Sequence, residues 1–557
     1  MNSLPQELVD RIGSHLSRDD LKNTLLLSHK WRYASEQYSY AFSQYHLTTD
    51  NESKFLSLYS GPRFRYLQRL IFMPRLPSTW LYSKEIGGYT LDSCRDTPEE
   101  LEYLDQHFTR QMFFLFSTLK TVESRVCMQL GEDDFPRKID LRISTPLREL
   151  WLSFECIHRH FVSWRAHLLS TSKLPSLLSV RSLTVDGGGE MIYPTIDHRK
   201  LDLRVLLDIS AKLPNLNFLE CNIGGDEWYG NFGTEAYSYI THDWAGPRRD
   251  SRHDFAKAYE NTVLPTLRHV RLNFLYPLTR VEEFDQEKTL PNLIKPMIYD
   301  PFSSSLRILS YQLRTMNLHI VADPSLFWPE DGSIPSWPNM ESIHVVFHMS
   351  TPSGSWYFRA PHGVGTTDGF EITEKAYPPL ETTERDENDC TDFDVLDWEE
   401  ELSTSRFRVK PNEETLLPFL TAFAKATASM FSLKEFVLWS PLRFSPRDHT
   451  AYADIDSSQM TELSSKELAW GIAYARPGEI VSPLNPGEDF SDTRQMWWYV
   501  GNWLPNPQLH SLFRRIGHEK HGEELLEYWG ADEVFHGFNL RWRFREWEQD
   551  RWWVFDT

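Results

Sequence analysis

Apolar residues recur at every fourth position near the start of the chain. Leu8, Ile12 and Leu16 would lie on one face of a helix. Pro5 fits the first turn of that helix, because the N–H that proline lacks has no partner there in any residue. The pattern therefore predicts an amphipathic helix that begins next to Pro5.

The step of four repeats further along the chain, at Leu21 and Leu25. Asp19 and Asp20 precede it, and their carboxylates suit the N-terminus of a second helix. Trp31 then supplies a large apolar side chain that can close a cluster of three short helices. A unit of about 40 residues rarely has a core large enough to fold alone, so its remaining apolar surface should contact a partner or the rest of the chain.

The segment from Leu4-Pro5 to Ser28-x-x-Trp31 resembles an F-box, a helical module that docks onto the adaptor subunit of a cullin-RING ubiquitin ligase. Leu27-Ser28 stands where the family usually has Val-Cys. An ordinary N-terminal helical cap is the alternative interpretation. The resemblance implies a packing role for Leu25 and Trp31 in the module's core. It implies adaptor contact for Leu4, Pro5, Leu8, Ile12, Leu16 and Leu21.

A short motif recurs through the rest of the chain: apolar, two variable, apolar, one variable, apolar. The spacing of two between its last apolar positions is typical of a strand. Helical patterns precede some copies, as at 203–213 and 416–431. Copies begin at Leu67, Leu147, Val180, Leu216, Leu267, Leu306, Met340 and Leu433.

A helix, a Leu-Pro turn and a strand resemble the unit of a leucine-rich repeat, in the irregular form found in many fungal F-box proteins. The predicted fold class is α/β: an N-terminal three-helix F-box, then an irregular leucine-rich-repeat-like solenoid with a Trp-rich C-terminal cap. A generic α/β layer domain is the alternative. The predicted divisions are 1–45 for the F-box, 46–144 for linker helices and a first repeat-like unit, 145–350 for the repeat-like units, 351–412 for an acidic, disordered insertion, and 413–557 for the last repeat unit and the cap.

The acidic insertion has its own composition. Between Asp368 and Glu401 there are 14 acidic residues against Lys375 and Arg385. A solvated loop is the main prediction. The alternative is a docking segment for a basic target or a site of regulatory phosphorylation at Thr382, Thr383 or Thr391.

Aromatic residues make up 14% of the chain, and eight of its 20 tryptophans lie between Trp497 and Trp553. A repeat domain needs a closing cap over its last open face, and large aromatics bury enough area to form one. After a predicted helix at about 519–529, the pattern predicts strand-like segments. The alternative is a recognition pocket in which tryptophans interleave with Arg541, Arg543, Arg545 and Arg551.

Composition limits the function classes. The chain has 557 residues, 40% hydrophobic and 25% charged, and a net charge of −21, which disfavours nucleic acid and anionic membranes as partners. The five cysteines are scattered and include no C-x-x-C, so neither a disulfide framework nor a zinc site is expected. With no apolar run of membrane length and no signal-peptide pattern, an intracellular location, cytoplasmic or nuclear, is expected.

Catalytic motifs and cofactor-binding motifs are missing from the sequence. His158-x-His160 and His518-x-x-His521 have ligand-like spacing, and Glu519 and Glu523 lie beside the second pair. Histidine pairs of this kind are usually surface or satisfied residues, so no metal, cofactor or enzymatic activity is expected. The resemblance implies a substrate-recognition subunit of an SCF-type ubiquitin ligase, whose partners would be the adaptor, the cullin and an unknown protein target. Two alternatives stay open: an F-box protein that serves as a scaffold outside ubiquitination, and an unrecognised enzyme in the C-terminal half.

Overall fold

Parallel strands laid side by side in chain order are the main feature of the fold. The structure is a computed structural model. It describes residues 4–77, 97–130, 138–148, 165–187, 199–224, 242, 245–276, 278, 285–363, 368–384, 405–446, 467–479, 491–530, 534–535, 538–541 and 544. Within these ranges the protein is mixed α/β, with a large, mostly parallel sheet and eleven α-helices.

The helices are α1 Gln6–Gly13, α2 Arg18–Thr24, α3 His29–Tyr38, α4 Glu52–Tyr59, α5 Pro98–Leu130, α6 Leu203–Ser210, α7 Ala245–Tyr259, α8 Pro301–Ser310, α9 Glu413–Ala428, α10 Pro507–Arg514 and α11 His518–His521. The strands are β1 Gln44–Leu47, β2 Arg69–Phe72, β3 Arg75–Leu76, β4 Ile139–Ser144, β5 Leu147–Arg148, β6 Val180–Asp186, β7 Phe218–Asn222, β8 His269–Asn273, β9 Thr315–Ile320, β10 Ser342–Phe347, β11 Phe358–Arg359, β12 Lys410–Pro411, β13 Glu435–Arg443, β14 Glu467–Ala475, β15 Arg494–Tyr499, β16 Leu525–Trp529, β17 Val534–Phe535 and β18 Phe538–Leu540.

The large sheet has the strand order β1-β2-β4-β6-β7-β8-β9-β10-β13-β14-β15-β16, with β17 and β18 attached at β14. Every pair from β1 to β13 is parallel, whereas β14 is antiparallel to both β13 and β15. Two short ladders, β3–β5 and β11–β12, form outside this sheet. A parallel pair needs a crossover, and α5 to α9 lie in the segments that return the chain to the start of the next strand.

The repeated motif builds the core because its apolar positions line up across the sheet. Alternate side chains of a strand face the same side, so a motif in register gives a continuous apolar row. Each residue of one such row is at most 2% exposed. The row is Leu47, Phe72, Ile143, Val185, Cys221, Leu272, Leu318, Val345 and Leu438.

Six motif copies fall on strands of the sheet, which confirms the strand prediction there: β2, β6, β7, β8, β10 and β13. The helix predictions at 203–213 and 416–431 are confirmed by α6 and α9. The longest helix, α5, begins with a reciprocal cap between Thr97 and Glu100. It buries Phe108, Leu115 and Leu119 in the core, so the linker interval 46–144 contributes core packing as well as connection.

The motif copy at Leu306 is wrong. Leu306 and Leu309 lie in α8, because a spacing of three also places two residues on one helical face. The strand of this unit is β9, which carries Met316 and Leu318 into the core.

The copy at Leu147 is also displaced. Leu147 lies in the two-residue strand β5, and the remainder of that copy falls outside the described residues. The sheet strand of this unit is β4, where Leu141 and Ile143 are buried. The helix predicted at 519–529 is wrong as well, since that segment contains the short helix α11 and then strand β16.

The predicted insertion at 351–412 is ordered and buried at both ends. Trp356 and Phe358 are fully buried, and Arg408 lies 4.4 Å from the ring centroid of Trp356. Apolar and paired side chains at these ends close over the sheet, so the solvated-loop prediction is wrong there. Most of the acidic stretch, 385–404, lies outside the described residues.

Aromatic residues near the C-terminus pack on the antiparallel part of the sheet. The ring of Phe544 stacks on Trp439 with centroids 5.1 Å apart, and Gly471 beneath them leaves room for that contact. Trp498 stacks on Trp529 at 4.9 Å. Among the four interleaved arginines, only Arg541 is described. It is fully buried and donates to the carbonyl of Leu442, so it is no exposed recognition residue.

Candidate functional site

The first three helices form a small core of their own. Val9, Trp31 and Ala34 are buried together there. Gly13 allows α1 to approach α3 closely, because a Cβ at this position would lie 3.1 Å from the ring of Tyr38. The prediction of a three-helix cluster with Trp31 in its core is confirmed.

Polar side chains define where these helices begin. The Ser17 hydroxyl caps α2 by accepting from the amide of Asp20, and Ser28 caps α3 in the same way. Lys30 Nζ donates to the carbonyl of Leu4 at 2.7 Å, which ties the chain before α1 to α3. The start of α1 is therefore held against the rest of the module.

The module exposes a set of large apolar side chains, here called the docking surface: Leu8, Ile12, Leu25, Leu26 and Leu27. Their exposed fractions are 47% for Leu8, 42% for Ile12, 37% for Leu25, 96% for Leu26 and 50% for Leu27. Pro5 is exposed beside them. Exposed large aliphatic side chains are normally scattered singly over a protein surface, so five of them within so short a segment of the chain are unusual.

The predicted adaptor-contact residues divide by their exposure. Pro5, Leu8 and Ile12 are exposed, whereas Leu4 and Leu16 are half-buried against the Val9–Trp31–Ala34 core. Leu4 and Leu16 therefore pack beneath the docking surface and contribute little to its exposed area.

The residue at which α2 ends reverses the predicted roles of two leucines, Leu21 and Leu25. Leu21 is only 2% exposed and packs inward, so its predicted adaptor contact is wrong. Leu25 was expected in the core but is exposed, because α2 ends at Thr24 and the Thr24 hydroxyl takes the place facing α3, 2.6 Å from the Ser35 hydroxyl. Sequence reasoning missed Leu26 and Leu27 as surface residues. Three consecutive leucines after a seven-residue helix were the available signal, since one helix face cannot bury all three.

An ion pair joins the three-helix module to the part of the chain that contains the large sheet, from β1 onwards, called the sheet domain. Arg63 Nη2 and Glu36 Oε1 are 2.6 Å apart, and Arg32 Nε lies 3.1 Å from the same oxygen. The Arg63 guanidinium also packs over the ring of Phe42 at 4.4 Å. Burial of the Glu36 carboxyl favours its neutral form, but hydrogen bonds from Arg63 and Arg32 outweigh burial and lower its pKa. A charged contact thus helps to hold the module against the sheet domain.

Replacing Glu36 with glutamine is expected to loosen this junction by about 1–2 kcal/mol at pH 7, the range of a partly exposed charge-assisted hydrogen bond. Because the folded pKa of Glu36 is lowered, its stabilisation is present above the unfolded value of 4.5 and is lost as the pH falls through the lower folded value. Hydrogen exchange of the α3 amides measures the effect: faster exchange is expected in the variant at pH 7, with the difference shrinking at acidic pH. Unchanged α3 exchange at pH 7 would contradict the role of this pair.

Other site chemistries find little support in the described part of the chain. No group of three or more metal-ligating side chains converges there. His518 reaches only Glu523, at 3.9 Å, and His158 and His160 lie outside the described residues. None of the helices in the described ranges combines the length and apolar character needed to cross a membrane.

Comparison with known proteins adds no further assignment. Neither a protein-family model nor a curated protein sequence matches this chain.

Proposed function

We propose that this protein is the substrate-recognition subunit of an SCF-type ubiquitin ligase, with the module Leu4–Tyr38 acting as an F-box. The observation that carries the proposal is the docking surface. The positions that the F-box resemblance assigns to adaptor contact include Pro5, Leu8 and Ile12, and these three are exposed although their neighbours pack inward. Burying Leu8 and Leu26 against an adaptor would remove apolar surface from water, which favours association.

The sheet domain is proposed to act as an irregular leucine-rich-repeat-like solenoid that holds a protein target. Its parallel strands follow chain order and bury one apolar face against the helices. On β2 and β4 the opposite face carries paired polar side chains: Asp140 lies 3.0 Å from Arg69 and 2.9 Å from Arg142. A polar surface of this kind suits a macromolecular partner better than a small substrate.

The proposed contribution to ubiquitination is proximity. A target held on the sheet domain, with the module docked on the adaptor, would face the ubiquitin-charged enzyme at a high effective concentration. The chain itself would need no catalytic residue or cofactor.

Size-exclusion chromatography of the full-length chain mixed with purified adaptor and cullin tests the proposal. Co-elution of all three proteins is expected. Co-elution with the adaptor alone would overturn the ligase assignment and favour a scaffold role outside ubiquitination. Failure to bind the adaptor at micromolar concentrations would overturn the F-box assignment itself.

A further inference from the structure

Basic residues line the amino-terminal edge of the parallel sheet. Five residues occupy consecutive rungs of this edge: Arg181, Asn217, Arg268, Arg314 and Glu341. From Asn217 onwards, the backbone N–H of each residue donates to the backbone carbonyl of the one before it. Lys138 immediately precedes β4 at the same edge. We call Lys138, Arg181, Arg268 and Arg314 the basic strip.

The strip presents its charges to solvent. Lys138, Arg181 and Arg314 are exposed, and none of the three makes an ion pair with another described residue. Arg181 is the extra residue of a β-bulge, because Ile139 pairs with Val180 and Asp140 pairs with Ser182. A bulge turns the side chain of its extra residue away from the regular alternation of the strand. Arg268 is held more firmly by the carbonyls of Pro265 and Leu267.

The electrostatics of a neighbouring histidine indicate that these charges act together. Burial lowers the pKa of His269, and the positive charges of Arg314, Arg181 and Arg268 lower it further, against the opposing effect of Glu341. Three guanidinium groups, one in β6 and the others just before β8 and β9, thus lie close enough to the His269 ring to lower its pKa. At the other end of the strip, burial and the charge of Arg65 lower the pKa of Lys138.

The strip begins beside the helical module. A cleft of about 220 Å³ is lined by Arg65 and Lys138 together with Glu36, Tyr40 and Gln68. The Ser43 carbonyl, just before β1, accepts from the amides of Gln68 and Arg69, so the module enters the sheet at this same edge.

Further along the edge the positive charge is neutralised. Lys434 Nζ lies 2.8 Å from Glu341, and Arg476 lies 2.8 Å from Glu479. Among the described residues, the part of the strip without an ion pair thus extends from β4 to β9, which is four strand spacings, or about 19 Å. In a chain whose net charge is −21, such a concentration of one sign is a feature of the surface rather than of the composition.

We propose that the basic strip binds an extended acidic segment of a protein, rich in Asp and Glu. About six residues in extended conformation span 19 Å, so alternate carboxylates can meet successive cations. The cations are spread along a line and do not converge on one point, which favours several carboxylates over a single phosphate group. This inference stands whether or not the helical module binds an adaptor.

Fluorescence anisotropy tests the proposal, with a fluorescein-labelled peptide of twelve alternating Glu and Ser residues added to the full-length chain. The triple variant Lys138→Gln, Arg181→Gln and Arg314→Gln is expected to bind at least tenfold more weakly. A second triple variant, Lys138→Gln, Arg181→Lys and Arg314→Lys, keeps two of the positive charges and should recover most of the affinity. Raised salt should weaken binding by the wild type. The matched control replaces three exposed lysines on other surfaces, Lys54, Lys173 and Lys257, by glutamine and should bind like the wild type.

Three results would overturn the proposal. One is equal affinity of the triple variant and the wild type, and another is an equal loss in the control variant. The third is binding of a single-stranded oligonucleotide of the same charge at least as tightly as the peptide, which would indicate a general polyanion surface. Thermal unfolding of each variant establishes that a loss of binding is not a loss of folding.

Discussion

Replacing Pro5 with alanine and Leu8 with aspartate is expected to weaken adaptor binding by about 100-fold or more, while residues 60–557 stay folded. Leu8 is 47% exposed, so a charged side chain at this position is tolerated in the free protein. In a complex the same carboxylate would be taken out of water without a partner, which typically costs several kcal/mol. Isothermal titration with purified adaptor measures the change.

Ile334 provides a matched control for this double variant. It is 86% exposed in the loop before β10, far along the chain from the module. Ile334→Asp introduces the same charge at an exposed aliphatic position and should leave adaptor affinity unchanged. The F-box assignment fails if the Pro5 and Leu8 variant retains the adaptor, or if both variants lose it equally.

Replacing Arg252 with methionine is expected to destabilise the sheet domain by about 3–5 kcal/mol at pH 7, the usual cost of removing one partner of a buried ion pair. Arg252 contacts the fully buried carboxylate of Asp300, and it donates to the carbonyl of Val321 at 2.9 Å. Asp323 lies close by and accepts from the amide of Asp300. Without Arg252, two neighbouring buried carboxylates would have lost their cation.

The destabilisation should depend on pH. Burial, and then the charge of Asp300, raise the pKa of Asp323 from 3.8 to about 6. A raised pKa means that the folded state binds more protons than the unfolded state between about pH 4 and 6, so this group's contribution to stability falls as the pH rises through that window. Without Arg252, protonation of Asp323 at lower pH relieves part of the repulsion between the two buried carboxylates. The variant should therefore be most destabilised at pH 7 and closer to the wild type at pH 5.

Urea unfolding at pH 5 and pH 7 measures both effects. A second substitution, Asp300→Asn, removes one buried charge and keeps a side chain that can cap α8, so it should recover a large part of the lost stability. If Arg252→Met costs the same free energy at both pH values, the carboxylates are not the reason for its effect.

Strand positions could be predicted from the sequence where a turn and a strand spacing coincide. At Leu216–Cys221 and Leu267–Leu272 a Leu-Pro turn precedes two apolar residues spaced by two. β4 escaped prediction because Lys138 occupies the leading position of its motif, although Leu141 and Ile143 alternate as a strand should. At Leu306 the leading spacing of three suits a helix equally well, and only tertiary packing decides between the two.

The docking surface was predictable in its location but not in its detail. Resemblance pointed to Pro5, Leu8 and Ile12, which are exposed. Whether Leu21 or Leu25 faces inward depends on the residue at which α2 ends, and in a helix of seven residues one position reverses the answer. The basic strip could not be predicted, because Lys138, Arg181, Arg268 and Arg314 are far apart in sequence and are brought together by strand register alone.

The chain-order pairing of strands also affects how the protein can be synthesised and folded. Each strand from β2 to β13 pairs with the sheet strand made just before it, so no strand in this series waits for a distant segment. Growth of such a sheet can follow the ribosome, since loop-closure entropy rises only slowly with the length of each connection, even over the long segment between β10 and β13. At β14 the strand direction reverses, and the aromatic C-terminal residues must arrive before this end of the core is covered.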